Sequence, residues 1–263
     1  MMFRSMVNLK SLLAHPLTRG LDIDDPKTTY LRKEILREKR FLRKIYKEWY
    51  RVITEALPEG EGPVLELGSG AGFLSDFIPG LITSEVFQCR NVKLILDGQH
   101  LPFGDRTLRG IVMTDVLHHL PKVRSFLHEA SRCVRPGGVI NMIEPWISSW
   151  SKVIYGHLQN EPLLLDEAEW EVSLQGPLST ANIALPWIVF ERDRYKFECE
   201  FSKFKILSIE PFMPFCYLVS GGLSMRSLMP GCTFNLWYRL ESALSSHMKN
   251  LGMFAHIVLQ RVE

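Results

Sequence analysis

At 263 residues and 46% hydrophobic side chains, the chain is long enough to bury a core without disulfide or metal staples. That length fits one α/β domain carrying insertions better than two independent domains. A formal net charge of +2 gives no ground for expecting a nucleic-acid partner.

The charge is uneven, because residues 1–51 hold 13 Lys and Arg against 6 Asp and Glu. Such a segment can attract a phosphate or an anionic membrane surface, although a solvated helix face has the same composition. Cys89, Cys133, Cys199, Cys216 and Cys232 are scattered without a C-x-x-C pair. This favours reduced thiols and a cytoplasmic setting over a disulfide framework or zinc site. No apolar run reaches the ~18 residues of a membrane span. Asn8 and Lys10 interrupt the apolar run that a signal peptide would need.

Residues 1–25 read as irregular. Asp25-Pro26 then reads as a helix start, an oxygen-bearing cap with proline at the first helical position. Leu31, Ile35, Leu42, Ile45, Trp49, Val52 and Ala56 recur at helical spacing, which predicts one long amphipathic helix ended by Pro58 and Gly60. Segment 1–57 is therefore expected to cap a main domain spanning 58–263.

Alternating apolar runs and helical stretches follow, the pattern of a mainly parallel sheet with crossover helices. Strands are expected at 63–67, 81–85, 92–96, 110–114, 139–143, 205–209 and 253–259, with helices starting at 72–78 and 123–133. The alternation fails at 145–204 and again at 211–233. Both stretches are too long for simple connections and are expected as lids at the ligand edge of the sheet.

The most informative segment is Glu66-Leu67-Gly68-Ser69-Gly70-Ala71-Gly72-Phe73. A buried strand runs into three alternating glycines, which let a ligand approach the main chain. The dinucleotide pattern G-x-G-x-x-G would need glycine at 73, where phenylalanine stands, and no Gly-Lys-Ser/Thr follows for a phosphate loop. Glu66 is an acid on a buried strand, costly unless paired or hydrogen-bonded.

This segment resembles the first motif of class I, Rossmann-like, S-adenosylmethionine-dependent methyltransferases, [D/E]-x-G-x-G-x-G. Glu85 lies 19 residues after Glu66, near the spacing at which an acid holds ribose hydroxyls in analogous dinucleotide folds. Asp97-Gly98-Gln99-His100-Leu101-Pro102-Phe103 resembles the family's D-x-x-x-L-P-F, and residues 112–120 resemble its fourth-strand motif. Arg132-Cys133-Val134-Arg135-Pro136-Gly137-Gly138 resembles its R-x-L-[K/R]-P-G-G turn, with Val134 a substitution. The chain is similar to the small-molecule, type 11-like members. The resemblance implies a seven-stranded α/β sheet, mainly parallel with the last strand antiparallel. It implies S-adenosyl-L-methionine as cofactor, held by Glu66, Gly68, Ser69, Gly70, Gly72, Glu85, Asp97, Gly98, Gln99 and Thr114. The flanks resemble a bacterial subgroup associated with surface-glycan or lipid-linked biosynthesis, which implies a sugar or lipid-linked acceptor.

His157, Glu144 and His118 are the candidates for catalysis. Glu144 follows the fifth strand, and His157 lies in the first insertion. Adjacent His118 and His119 in a strand-to-helix turn do not easily point into one site, and no His/Asp/Glu set has metal-ligand spacing, so no metal is expected. Trp146, Trp150, Trp170 and Trp187 fit either an apolar acceptor wall or a mini-core of the insertion. The activity expected is methyl transfer to a small molecule. A cofactor-binding protein without transfer and a cofactor-assisted cyclase share every motif. A macromolecular methyltransferase is disfavoured, because Thr114-Asp115-Val116-Leu117 stands where an asparagine-proline-proline motif would.

Overall fold

A computed structural model describes residues 13–18, 22–89, 92–159, 161–173, 176 and 179–263. Parts of the N-terminal cap segment (1–12 and 19–21) and Asn160 of the expected lid lie outside the described residues.

The chain enters through α1 (Pro26–Glu38) and α2 (Arg40–Glu55), where one continuous helix was expected. Asp25 caps α1 as anticipated, its side chain accepting from the Lys27 amide with Pro26 at the first helical position. The break falls at Lys39, which leaves the helical region at φ −79° and ψ 83°. Its buried Nζ donates to the carbonyls of Gly222 and, at 2.7 Å, Met225. Two distant carbonyls satisfying one buried ammonium outweigh a single missing helix turn. Helical spacing reads amphipathicity and is blind to this tether. In α2, Phe41, Leu42, Ile45, Tyr46, Trp49, Tyr50 and Ile53 are buried against the sheet.

The strands are β1 (Val64–Leu67), β2 (Ile82–Glu85), β3 (Leu94–Ile95), β4 (Leu108–Thr114), β5 (Val134–Pro145), β6 (Phe204–Phe212) and β7 (Phe254–Arg261). They form one sheet in the order β3-β2-β1-β4-β5-β7-β6. The first five pair in parallel, and β7 runs antiparallel between β5 and β6. This is the seven-stranded, mainly parallel sheet with an antiparallel last strand that the sequence predicts. All four β1 residues are buried, as a central strand covered on both faces requires. The helix α3 (Val123–Cys133) matches its expected bounds and buries Val123, Phe126, Leu127, Ala130 and Cys133.

The helix expected from residue 72 is only a 3-10 turn, Leu74–Asp76. Pro79 disfavours helical geometry at Ile78 and Gly80 follows it, so too few residues remain to repay nucleation. In the first insertion, α4 (Ser149–Leu158) begins with a reciprocal capping box between Ser148 and Ser151. Strand order reverses between β1 and β4, which opens a crevice at their carboxyl ends.

Candidate active site

The loop after β1 is held by the end of β2. The Ser69 amide donates to the Ser84 carbonyl at 2.9 Å, and the Ser84 amide returns a bond to Ser69 Oγ at 3.1 Å. Ser84 Oγ donates to the Glu66 carbonyl at 2.7 Å. Gly68 has φ +64°, and a Cβ there would stand 2.5 Å from Val116 Cγ2, so only glycine suits it. The Gly70 amide donates to Glu85 Oε1 at 2.7 Å, locking the loop onto the acid that closes β2.

This loop forms one wall of a cavity of about 660 Å³, within the range of small-molecule and cofactor sites. All ten residues expected to hold cofactor line it: Glu66, Gly68, Ser69, Gly70, Gly72, Glu85, Asp97, Gly98, Gln99 and Thr114. Burial pushes the Glu66 carboxyl up to about 7, against a hydrogen bond from Ser69, and the nearby Glu85 adds to the rise. Burial likewise raises Glu85 above the usual carboxylate range, opposed by its bonds from the Gly70 and Val86 amides. Asp97 is exposed and accepts from the Gln99 amide at 2.9 Å. Thr114 Oγ1 is buried without a hydrogen-bond partner, leaving a hydroxyl for a ligand to satisfy.

The catalytic candidates fall elsewhere. Glu144 is wholly buried behind the cavity wall. Its Oε1 accepts from the Val116 and Leu117 amides at 2.8 and 2.7 Å, and its Oε2 accepts from His118 Nδ1 at 2.8 Å. Glu144 is therefore a positioning residue for the β4 turn. His118 is equally buried and lies behind the lining residue His119. His157 is not brought to the cavity at all. It is exposed, with Nδ1 donating to the Val153 carbonyl at 2.7 Å. The helical period turns Ile154, Tyr155 and Leu158 of α4 inward and His157 outward.

Several lining residues carried no clear sequence signal. Asp115 has φ +63°, a conformation Asp tolerates better than most residues, and its amide donates to the Ile143 carbonyl at 2.8 Å. Burial pushes its carboxyl up to about 7 against the pull of His118. Burial also opposes ionisation of Glu161, yet His118 beside it holds that carboxyl down to about 2. Burial and then repulsion from His118 push His119 down to about 4. Burial by itself would lower His118 too, but Glu144 and Glu161 outweigh it and hold the ring well above the ordinary histidine value.

The far wall comes from the three expected cover regions. Arg32 and Tyr46 come from the N-terminal helices, Tyr155 and Glu161 from the first insertion, and Tyr217 and Leu223 from the second. The tryptophans are core: Trp146 and Trp170 are buried, and Trp150 Nε1 donates to the Pro214 carbonyl at 3.0 Å. None of Trp146, Trp150, Trp170 and Trp187 lines the cavity.

Residues 65–142, which span β1 to β5 and the glycine loop, match the model of a methyltransferase domain family. None of the curated protein sequences compared matches the chain. Among solved structures, the chain overlaps geranyl diphosphate C-methyltransferase from Streptomyces coelicolor, at 11% identity, covering 95% of this chain and 89% of that one, with a TM-score of 0.49. It also overlaps a complex of the Haloferax volcanii Trm112 methyltransferase activator with a methyltransferase, at 12% identity, covering 92% and 98%, with a TM-score of 0.49.

Sheet order and glycine loop are those of the class I methyltransferase fold, the methyltransferase domain model matches within it at residues 65–142, and S-adenosylmethionine is the cofactor. Among the described residues, no helix is long and apolar enough to cross a membrane.

Proposed function

We propose that the protein transfers a methyl group from S-adenosylmethionine to a small acceptor enclosed beneath the three cover regions. The carrying observation is that one cavity has the glycine loop, Glu66 and Glu85 on one wall and Arg32, Tyr46, Tyr155 and Tyr217 on the other. Its volume leaves room for an acceptor beside a nucleoside.

The cofactor supplies a methyl carbon already activated by its sulfonium. The protein's work is to align and to exclude water. In this reading Glu85 receives the ribose hydroxyls, the amides around Gly68 and Gly70 pass beside the methionine part, and Glu66 holds its cationic end. Asp97 and the backbone at Gly98 and Gln99 take the adenine. Thr114 and Asp115, at the end of β4, lie between this half and the acceptor half. Residues 1–57 act as the cap, with the insertions at 145–204 and 211–233 as lids. A sugar or lipid-linked acceptor is the class this reading favours, because tyrosine hydroxyls beside apolar side chains suit a partly polar ligand.

The test is product analysis with methyl-labelled cofactor and a small-molecule extract. A labelled product one CH2 heavier than its precursor supports the reading. Cofactor bound tightly with no labelled product from any small-molecule fraction would overturn methyl transfer and leave a binding protein.

A further inference from the structure

We infer that His118, His119 and Glu161 form a binding site for a divalent first-row transition ion at the acceptor side of the cavity. One donor atom of each lies within 4.8 Å of the other two. His118 Nε2 is 3.5 Å from Glu161 Oε2 and 3.9 Å from Asp115 Oδ1.

The hydrogen bonds behind the two rings carry the inference. His118 Nδ1 donates to Glu144 Oε2 at 2.8 Å, and His119 Nδ1 donates to the Thr180 carbonyl at 2.9 Å. A carbonyl can only accept, so the Thr180 contact places the proton of neutral His119 on Nδ1 and its lone pair on Nε2. Metal-ligating histidines are oriented in this way, by a carboxylate or a backbone carbonyl on the other nitrogen. Glu144 is in turn fixed by two backbone amides. His118 Nε2 is wholly buried and makes no hydrogen bond of ordinary geometry, its nearest partners being Glu161 Oε2 at 3.5 Å and Asp115 Oδ1 at 3.9 Å. An ion seated between this nitrogen and Glu161 would replace a long contact with two short bonds. Any proton that Nε2 carries without an ion is displaced when the metal binds.

Charge points the same way. Glu66, Glu85, Asp97, Asp115 and Glu161 line the cavity, against Arg32 as the one lining Arg or Lys among the described residues. The cationic cofactor offsets part of this excess, and the carboxylates at its far end still face a wholly buried ring. Donor atoms around a 2.0–2.1 Å ion lie roughly 3–3.5 Å apart. The His118–Glu161 pair is already at that spacing, and the His119 donor lies within 4.8 Å of both. Two imidazoles and a carboxylate favour zinc, cobalt or manganese over magnesium. Three protein ligands leave a position open towards the cavity, where an acceptor's hydroxyl or carboxylate oxygen would complete the shell. Ion binding stands independently of the methyl-transfer reading. Only the acceptor role rests on it.

The probe is Co2+ added to the purified full chain, read by its visible d–d absorption and by calorimetry, with S-adenosylhomocysteine binding measured on the same sample. Wild type should develop ligand-field bands with a dissociation constant of about micromolar or tighter. Glu161→Gln, at a partly exposed position, should weaken binding at least about tenfold. Glu144→Gln can keep the two backbone bonds, but its amide NH2 would face His118 Nδ1. The proton would then sit on Nε2, and Co2+ affinity should fall about 10–100-fold with the circular dichroism melt retained. No bands in wild type at millimolar Co2+, or bands unchanged in Glu161→Gln, would overturn the site. Normal S-adenosylhomocysteine binding in either case would leave the cofactor reading intact.

Discussion

Replacing Glu66 by Gln removes a charge from the cavity wall and keeps the shape. Glu66 is 4% exposed, so solvent screening does not dilute its electrostatics. Burial lifts its carboxyl from 4.5 to about 7. At about 1.4 kcal/mol per pKa unit, this is worth about 3 kcal/mol. The sign follows from proton counting. Below pH 4.5 the carboxyl is neutral in both folded and unfolded chains, and stability is full. As pH rises towards 7, the unfolded chain loses this proton while the folded one keeps it, so stability falls until the folded carboxyl also ionises. A glutamine has no such window. Glu66→Gln should therefore gain about 3 kcal/mol relative to wild type between pH 4.5 and pH above 7. Urea melts of both proteins at several pH values measure this difference, and the shared titrations of Asp115 and the histidines cancel in it. Cofactor affinity should move the opposite way. An ionised Glu66 favours the cationic cofactor, so wild-type affinity should rise with pH up to about 7 and the glutamine variant should bind more weakly without that slope. A stability difference constant across pH would refute the burial argument.

Glu85→Ala should weaken S-adenosylhomocysteine binding by about 1.5–3 kcal/mol by calorimetry, since it removes a charged acceptor and frees the Gly70 amide; Glu85→Gln should cost less. Gly70→Val should abolish cofactor binding with the circular dichroism spectrum retained, because φ is +45° and a Cβ would stand 3.3 Å from Glu85 Oε1; normal binding would confine the glycine to turn geometry. Trp170→Ala should cost about 3–5 kcal/mol of stability in denaturant melts and leave cofactor affinity unchanged, as befits a core residue. In hydrogen exchange, cofactor alone should protect mainly residues 66–119, and cofactor with true acceptor should also protect 26–57 and 145–204. If the acceptor protects neither cover segment, the lid assignment fails.

The sheet was legible because its signals are local. Buried parallel strands such as Ile111-Val112-Met113 of β4 are continuous apolar runs, whereas Gly137-Gly138, expected as a turn, falls inside the longer β5 with Gly137 at φ +79°. The cavity wall that carries the glycine loop was legible for the same reason. Its residues sit at fixed offsets from strand ends, so spacing along the chain maps directly onto position at the sheet edge. What the tertiary structure decided is everything that depends on distant segments meeting. The long helix breaks at Lys39 because two carbonyls about 185 residues away accept its ammonium. His157 turns outward because the packing of α4 selects Ile154, Tyr155 and Leu158 for the cavity. Glu144 becomes a buried brace because the turn after β4 presents two amides and a histidine to it. His118 and His119 converge after all, their ring centroids 4.2 Å apart, because Glu144 and the Thr180 carbonyl each turn one ring. Glu161 joins them from an insertion that no periodicity describes. Sequence spacing fixes what a strand end can hold. Only the folded chain brings together side chains from β4, β5 and the insertion, because their meeting is set by packing and charge rather than by offset.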